Sequence, residues 1–231
     1  MTVLAAGLAF SPAANASLVL LNAQDFQGTG LGAANTILTI QSRGNSTTET
    51  GSVGRLTSAP LVDKITGDAK TGHFQTLTRT LNELGVTSAD SLRVVFNALE
   101  PGNAANSIVL SNLVLSIFSQ TGALLFNSGA FTPVTFLNTR TGAGNSGFVF
   151  GLDAEQAAAA QLAAFGGDPL TTRVGLSATA NNATGGFETF FVANGGPGGG
   201  GPGGNPIPEP ATLALVSLGL FGVISSRRRK Q

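Results

Sequence analysis

IVLSNLVLSIF, residues 108–118, carries no charge and sets apolar side chains at both odd and even positions. A run of this length rich in β-branched residues reads as a strand covered on both faces, central in a sheet, with Ser111-Asn112 as the one place where it could break. Gln120-Thr121-Gly122 then turns the chain, and Ala123–Asn127 reads as the hairpin partner. Outward from this hairpin the same grammar repeats. In Leu92–Ala98 the positions Leu92, Val94, Phe96 and Ala98 share one face, and Arg93 and Asn97 take the other. Phe148, Phe150 and Leu152 alternate likewise, as do Val174, Leu176 and Ala178. Period-2 patterning of this kind marks half-buried strands. Thr-Gly pairs at 29–30, 50–51, 66–67, 71–72, 121–122, 141–142 and 184–185 read as turns between them. Phe74–Leu81 (FQTLTRTL) is Thr-rich and suits an edge or outer strand. The expected fold is all-β: an antiparallel β-sandwich, jelly-roll-like, over residues 17–194.

One helix interrupts the strands. Asp153 is placed as N-cap, with Gln156 three residues later as its capping-box partner. The Ala-rich stretch 154–165 follows, and Gly166 is expected to cap its end. Helical turns are also expected at Thr80–Leu84 and at Thr87–Ser91, where Thr87 or Ser88 could cap. No repeat of fixed period runs through the sequence, which argues against a solenoid or propeller.

The 231 residues suffice for one domain or two small ones. The absence of cysteine excludes disulfides, thiolate metal sites and Cys nucleophiles, and one histidine excludes a His cage. Basic and acidic residues number 12 each, but four of the basic ones are Arg227, Arg228, Arg229 and Lys230. Without them 8 basic face 12 acidic residues, a net of −4, which does not suit nucleic acid.

Both ends carry targeting patterns. In MTVLAAGLAFSPAANA, residues 1–16, an apolar run precedes Pro12, and Ala14-Asn15-Ala16 offers the small–x–small pattern a signal peptidase accepts before Ser17. No Lys or Arg precedes the apolar run; a start upstream of Met1 would supply one. Residues 195–206, GGPGGGGPGGNP, have no apolar side chain to bury and read as a flexible linker. Pro208-Glu209-Pro210 follows, then the uncharged apolar stretch 211–226, then Arg227, Arg228, Arg229 and Lys230. As a helix those 16 residues span about 24 Å. That is short of the ~30 Å hydrocarbon core, a gap that snorkelling arginines and local thinning can close. The expectation is a transmembrane sorting helix whose basic end stays cytoplasmic.

This three-part tail, residues 207–231, resembles the PEP-CTERM sorting signal of bacterial exported proteins. The resemblance implies export by the general secretory route and processing by an exosortase, an integral-membrane, cysteine-protease-like enzyme. Pro208, Glu209 and Pro210 would then be recognised as substrate and are not catalytic residues. The stretches QSRGNSTTETGSV, LRVVFNALEPGNAANSI, GFVFGLDAEQAAAAQ and NATGGFETFFVAN resemble globular regions that precede such tails. They imply an exported surface or matrix protein, transiently anchored in the inner membrane, and add no catalytic residues.

A search for chemistry returns little. His73 stands beside a turn with no Ser-containing elbow to serve. A glycosidase needs two carboxylates about 5–10 Å apart, and Asp63, Asp68, Glu83, Asp90, Glu100, Asp153 and Asp168 are the candidates. Asp153 is more economically a cap, and Asp168, before Pro169, a turn residue. Asp63 and Asp68 are five apart and would suit calcium only with help from elsewhere. Sugar platforms favour Trp or Tyr, and the chain has neither. The expectation is therefore a non-enzymatic surface or matrix protein, with no cofactor or metal, associated with extracellular polysaccharide or biofilm. Its partners are signal peptidase and exosortase, and the membrane through residues 211–226. The alternative is a surface-anchored hydrolase or calcium-dependent carbohydrate-binding module on the same anchor.

Overall fold

The chain between Ser107 and Phe118 forms one strand that does not break at Ser111-Asn112 but bulges there. In the computed structural model its buried side chains are Ile108, Leu110, Leu113, Leu115 and Ile117. The step of three between Leu110 and Leu113 is the bulge: the partner strand pairs Thr179 with Asn112 and Ala180 with Leu110, passing over Ser111. One extra residue keeps both halves of the strand in phase with the core. The structure describes residues 18–21, 35–42, 44, 46–57, 61–72, 75–98, 107–137, 147–184 and 186–195.

Twelve strands are named among these residues, in chain order. They are β1 (Val19–Leu20), β2 (Thr36–Ile40), β3 (Thr48–Arg55), β4 (Asp63–Gly67), β5 (Arg79–Thr80), β6 (Leu92–Asn97), β7 (Ser107–Phe118), β8 (Leu124–Asn127), β9 (Val134–Leu137), β10 (Gly147–Gly151), β11 (Arg173–Asn181) and β12 (Glu188–Asn194). All pairings are antiparallel. One sheet runs β1-β10-β6-β12-β2 and the other β4-β3-β11-β7-β8, with β5 also on β11 and β9 also on β7. The described region is thus mostly β, as its alternation predicts.

Both sheets feed one buried cluster. Leu92, Val94, Phe96 and Ala98 from the first and Val174, Leu176 and Ala178 from the second all belong to it. Its aromatic part is made of phenylalanine alone. Phe96 stacks on Phe190 with centroids 4.9 Å apart, and Phe136 and Phe148 approach it at 5.7 and 6.2 Å. A core without phenol or indole leaves no ring polar atom to satisfy. A second, smaller cluster of Val95, Val149 and Phe191, with Leu21 against it, lies on the opposite face of the first sheet.

Local chemistry explains most of the connections. Gly122 takes a φ of +80° in the β7–β8 turn, the region that favours glycine. Thr50-Gly51, in contrast, is no turn. Gly51 sits inside β3, where an added Cβ would stand 2.6 Å from Ile40 Cγ2, so the glycine lets β2 and β3 approach. The Thr80–Leu84 turn is closed by a reciprocal pair: Thr80 N–H donates to Glu83 Oε2 at 2.7 Å and Glu83 N–H to Thr80 Oγ1 at 3.1 Å. Ala89–Ser91 forms a single 3-10 turn with Ser88 at its N-cap position, without a side-chain capping bond.

The helix α1 spans Ala154–Ala164, and Asp153 caps it by accepting the Gln156 N–H at 2.8 Å. Gln156 does not complete a capping box. It is buried and its amide donates to the Ser128 carbonyl, holding the helix to the chain after β8. The helix ends one residue earlier than expected, with Phe165 at the C-cap. Asp153→Ala removes the cap bond and is expected to cost about 1 kcal/mol of stability in urea unfolding.

Phe74–Leu81 departs from its expected role as an edge or outer strand. Among its described residues only Arg79–Thr80 is strand, and Thr76, Thr78 and Thr80 are buried. Their hydroxyls find local partners, so polar composition here marks a packed strip and not an exposed one. Leu77 N–H donates to Ile37 O of β2, and Thr80 pairs with Arg173 of β11, so the strip reaches from one sheet to the other. No helix among the described residues is long and apolar enough to cross a membrane, and the expected sorting helix lies outside them.

Candidate functional site

The solvent face of the seven-stranded sheet carries a polar surface of hydroxyls and amides, with Lys64 of β4 exposed at its margin. Strand alternation builds it: in β3 Glu49, Gly51 and Val53 are buried, while Thr48, Thr50 and Ser52 face out. In β11 Ser177, Thr179 and Asn181 take the same side. Register aligns these into rows. Thr66, Ser52 and Ser177 share one row, Thr50, Thr179 and Asn112 the next, and Thr48 and Asn181 a third.

Neighbours within and between rows bond to one another. Ser52 Oγ and Thr66 Oγ1 are 2.6 Å apart, Thr50 Oγ1 donates to Thr179 Oγ1 at 3.2 Å, and Thr48 Oγ1 to Asn181 Oδ1 at 3.1 Å. Asn181 Nδ2 donates to Ser111 Oγ at 2.8 Å, which shows a use for the bulged residue. At one end Phe118 lies against a floor of glycine. An added Cβ at Gly54 or Gly175 would meet its ring at 3.2 or 3.1 Å. Among the described residues it is the one aromatic on this face. Asp68, at the rim, accepts the Thr50 N–H at 3.0 Å. The arrangement can exchange neutral hydrogen bonds with a ligand.

Asp63, Asp68, Glu83, Asp153 and Asp168 are each engaged by their own neighbourhood. Asp63 accepts from Arg55 Nη1 at 3.1 Å, from Thr78 N at 2.8 Å and from Thr78 Oγ1 at 2.6 Å. Arg173 donates to Thr78 Oγ1 and O, at 2.8 and 2.6 Å, extending this network across to β11. Burial pushes the nearby Arg79 guanidinium below its ordinary pKa; Glu83 raises it and Arg173 lowers it. Arg79 Nε donates to the Thr36 carbonyl at 3.1 Å, pinning β2 to the same strip. Asp63→Ala strands the Thr78 donors and Arg55. The expected loss is about 1–3 kcal/mol in urea unfolding, with Asp63→Asn retaining part of it.

Asp63 opens β4 and Asp68 follows its last residue, about 16 Å away at strand rise, so they cannot share one calcium ion. Glu83 caps its turn, Asp153 its helix, and Asp168 accepts the Leu170 N–H at 2.9 Å as a turn residue. Asp90 is exposed in the 3-10 turn. Among the described residues no group of three or more His, Cys, Asp or Glu is placed to hold a metal.

Two buried carboxylates were not among those candidates. Glu49 is 3% exposed and accepts from Ser42 N and Oγ, at 3.0 and 3.3 Å, while Glu188 is fully buried opposite Ile40. Their phase was the available signal: Glu49 alternates with Val53, and Glu188 with Phe190 and Val192.

The remaining expected sites lie outside the described residues. These are His73, Glu100, the signal segment with Ala14, Ala16 and Ser17, and the tail with Pro208, Glu209, Pro210, Arg227, Arg228, Arg229 and Lys230. Comparison with known proteins speaks to that tail. No curated protein and no solved structure matches the chain. One family does match, at the sequence of the tail, within a residue at each end of the stretch its residue pattern marks out. The chain carries a PEP-CTERM protein-sorting motif at residues 206–230, which implies export, transient anchoring through the C-terminal region, and sorting by an exosortase.

Proposed function

We propose that this chain is a non-enzymatic surface or extracellular-matrix protein. Its two antiparallel sheets form a β-sandwich ectodomain of jelly-roll type over residues 17–194. Residues 1–16 are its signal peptide, removed by signal peptidase between Ala16 and Ser17. Residues 195–206 link the ectodomain to the sorting segment 207–231, whose apolar part, 211–226, spans the inner membrane as a helix until an exosortase acts on it. The observation that carries this reading is the sorting motif at residues 206–230.

A role in exopolysaccharide or biofilm material is supported by the solvent face of the seven-stranded sheet. Its rows of hydroxyls and amides offer the donors and acceptors that a hydroxylated polymer can bond. The bonding within the rows also supports a non-enzymatic role, since Thr48, Thr50, Ser52, Thr66 and Thr179 each bond a neighbour.

The test is the intact mass of the protein recovered from the surface and the medium of its native host. A mass lacking residues 1–16 and the segment beyond Pro208-Glu209-Pro210 is expected. Any excess over that mass would report glycans or a new attachment. A mass that retains 211–231, found only in the membrane fraction, would overturn the exosortase reading and leave a plain anchored ectodomain.

A further inference from the structure

We propose that the Phe118 end of the seven-stranded sheet is a binding subsite for an acidic sugar, a uronic acid unit of a polysaccharide, with Phe118 under the sugar ring and Lys64 on its carboxylate. The inference rests on the polysaccharide reading and names the chemistry of the ligand and its place on the sheet. Phe118 is the last residue of β7 and is half-buried. Its ring leans off its own strand and across β11 until its tip stands over β3. A Cβ added at Gly175 would meet Cε2 at 3.1 Å, and one added at Gly54 would have Cζ, Cε2 and Cε1 as its three nearest atoms. The two glycines thus let the ring rest on backbone, with its remaining exposed area toward solvent. The negative face of such a ring attracts the weakly positive C–H groups on the apolar side of a pyranose. Phenylalanine has no polar tip, so the groups that orient a sugar must come from its neighbours.

Those neighbours surround the ring. Lys64 of β4 pairs with Gly54, one strand beyond the ring tip, about 5 Å away at strand spacing. Lys64 is exposed, and among the described residues it makes no ion pair. On the other side Ser116 pairs with Gly175, and Asn127 Nδ2 donates to Ser116 Oγ at 3.2 Å. The next row, about 7 Å along the strands, holds Thr66, Ser52 and Ser177 in register. Ser177 Oγ bonds to nothing among the described residues, so it is free to bond a ligand. Charge selects the kind of sugar. Arg173, opposite Phe118, adds a second positive charge at this end while holding Thr78. Neither row contains a carboxylate, and Asp63, next to Lys64 in β4, is already held by Arg55 and Thr78. An anionic sugar therefore meets an unpaired ammonium and no free carboxylate in these rows.

The experiment takes the protein as recovered from its native host and measures its binding to immobilised polygalacturonate and to immobilised dextran. Wild type is expected to prefer polygalacturonate by about fivefold at low salt, the scale of one exposed ion pair. That preference should fade at high salt, where such a pair is screened. Lys64→Gln is expected to bring the two polymers to within about twofold of each other, by the loss of that pair. Phe118→Leu keeps an apolar side chain over the glycines but has no flat face, and should weaken binding of both polymers about tenfold. Phe118→Tyr keeps the ring and should bind as wild type does. Urea midpoints identify any variant that fails to fold, and Lys64, being exposed, gives a readout even if Phe118→Leu does not. A folded Phe118→Leu protein that binds as wild type would overturn the subsite and leave the polysaccharide reading in place. Equal binding of the two polymers by wild type, or an undiminished preference in Lys64→Gln, would overturn the acidic ligand. A wild type that binds neither polymer would overturn the subsite and the polysaccharide reading together.

Discussion

Phe96→Ala is expected to lower the unfolding free energy by about 3–5 kcal/mol. The side chain is fully buried on the central strand of the five-stranded sheet. It stacks on Phe190, and it meets Phe136 and Phe148. Deleting the ring removes its transfer free energy and leaves a cavity walled by three other rings. Those rings are fixed on β12, β9 and β10, so they cannot all move in to fill the space. Domains of this kind commonly have only about 5–15 kcal/mol in all, so the loss should be visible as a large drop in urea midpoint. Far-UV circular dichroism is the suitable probe, because the chain has no Trp or Tyr. Leu162→Ala is the matched control. Leu162 is 89% exposed on α1, and its loss should change stability by no more than about 0.5 kcal/mol. Equal losses in the two variants would show that the Phe cluster is not the centre of the fold.

Replacing Pro208, Glu209 and Pro210 together by alanine is expected to stop processing and leave the unprocessed tail on the protein. Each proline disfavours helix at itself and at the residue before it. Three alanines would let a helix formed by 211–226 run back through the motif and withdraw its backbone into intrahelical hydrogen bonds. The readout is the fraction of protein that retains 211–231, which should rise from a minority to nearly all. The ectodomain's urea midpoint should not move. Continued processing of the triple variant would show that recognition lies elsewhere in the tail.

Much of the fold was legible because alternation is a direct record of burial. The buried positions of β7 fall at intervals of two, three, two and two, and the single three is the bulge at Ser111. The helix was legible in Asp153 and the alanines behind it. Elsewhere composition misled. Thr76, Thr78 and Thr80 look like surface residues, yet they are buried because the strip they occupy joins the two sheets and supplies them with partners. Gly51 looks like a turn because its close neighbour, Ile40, belongs to another strand and cannot be seen locally. Glu49 and Glu188 stood in phase with the core but were passed over, since a buried carboxylate is improbable until its partners are known. The rows of hydroxyls on the seven-stranded sheet needed cross-strand register, which no single segment contains. The sorting tail was legible for the opposite reason. Its order of linker, prolines, apolar stretch and basic run is local, and it needs no fold to be read.

The phenylalanine core has a chemical consequence. Between residues 18 and 195 there is no cysteine, methionine, tryptophan or tyrosine; the one methionine is Met1. Thiol and thioether are the side chains that climb the ladder of sulfenic acid, sulfoxide and beyond, and this domain has neither. Hydrogen peroxide should therefore leave its mass and its unfolding curve unchanged under conditions that add oxygen to methionine-containing domains. A protein carried outside the cell, beyond the reach of the reductases that repair such damage, is in this way built with almost nothing to repair.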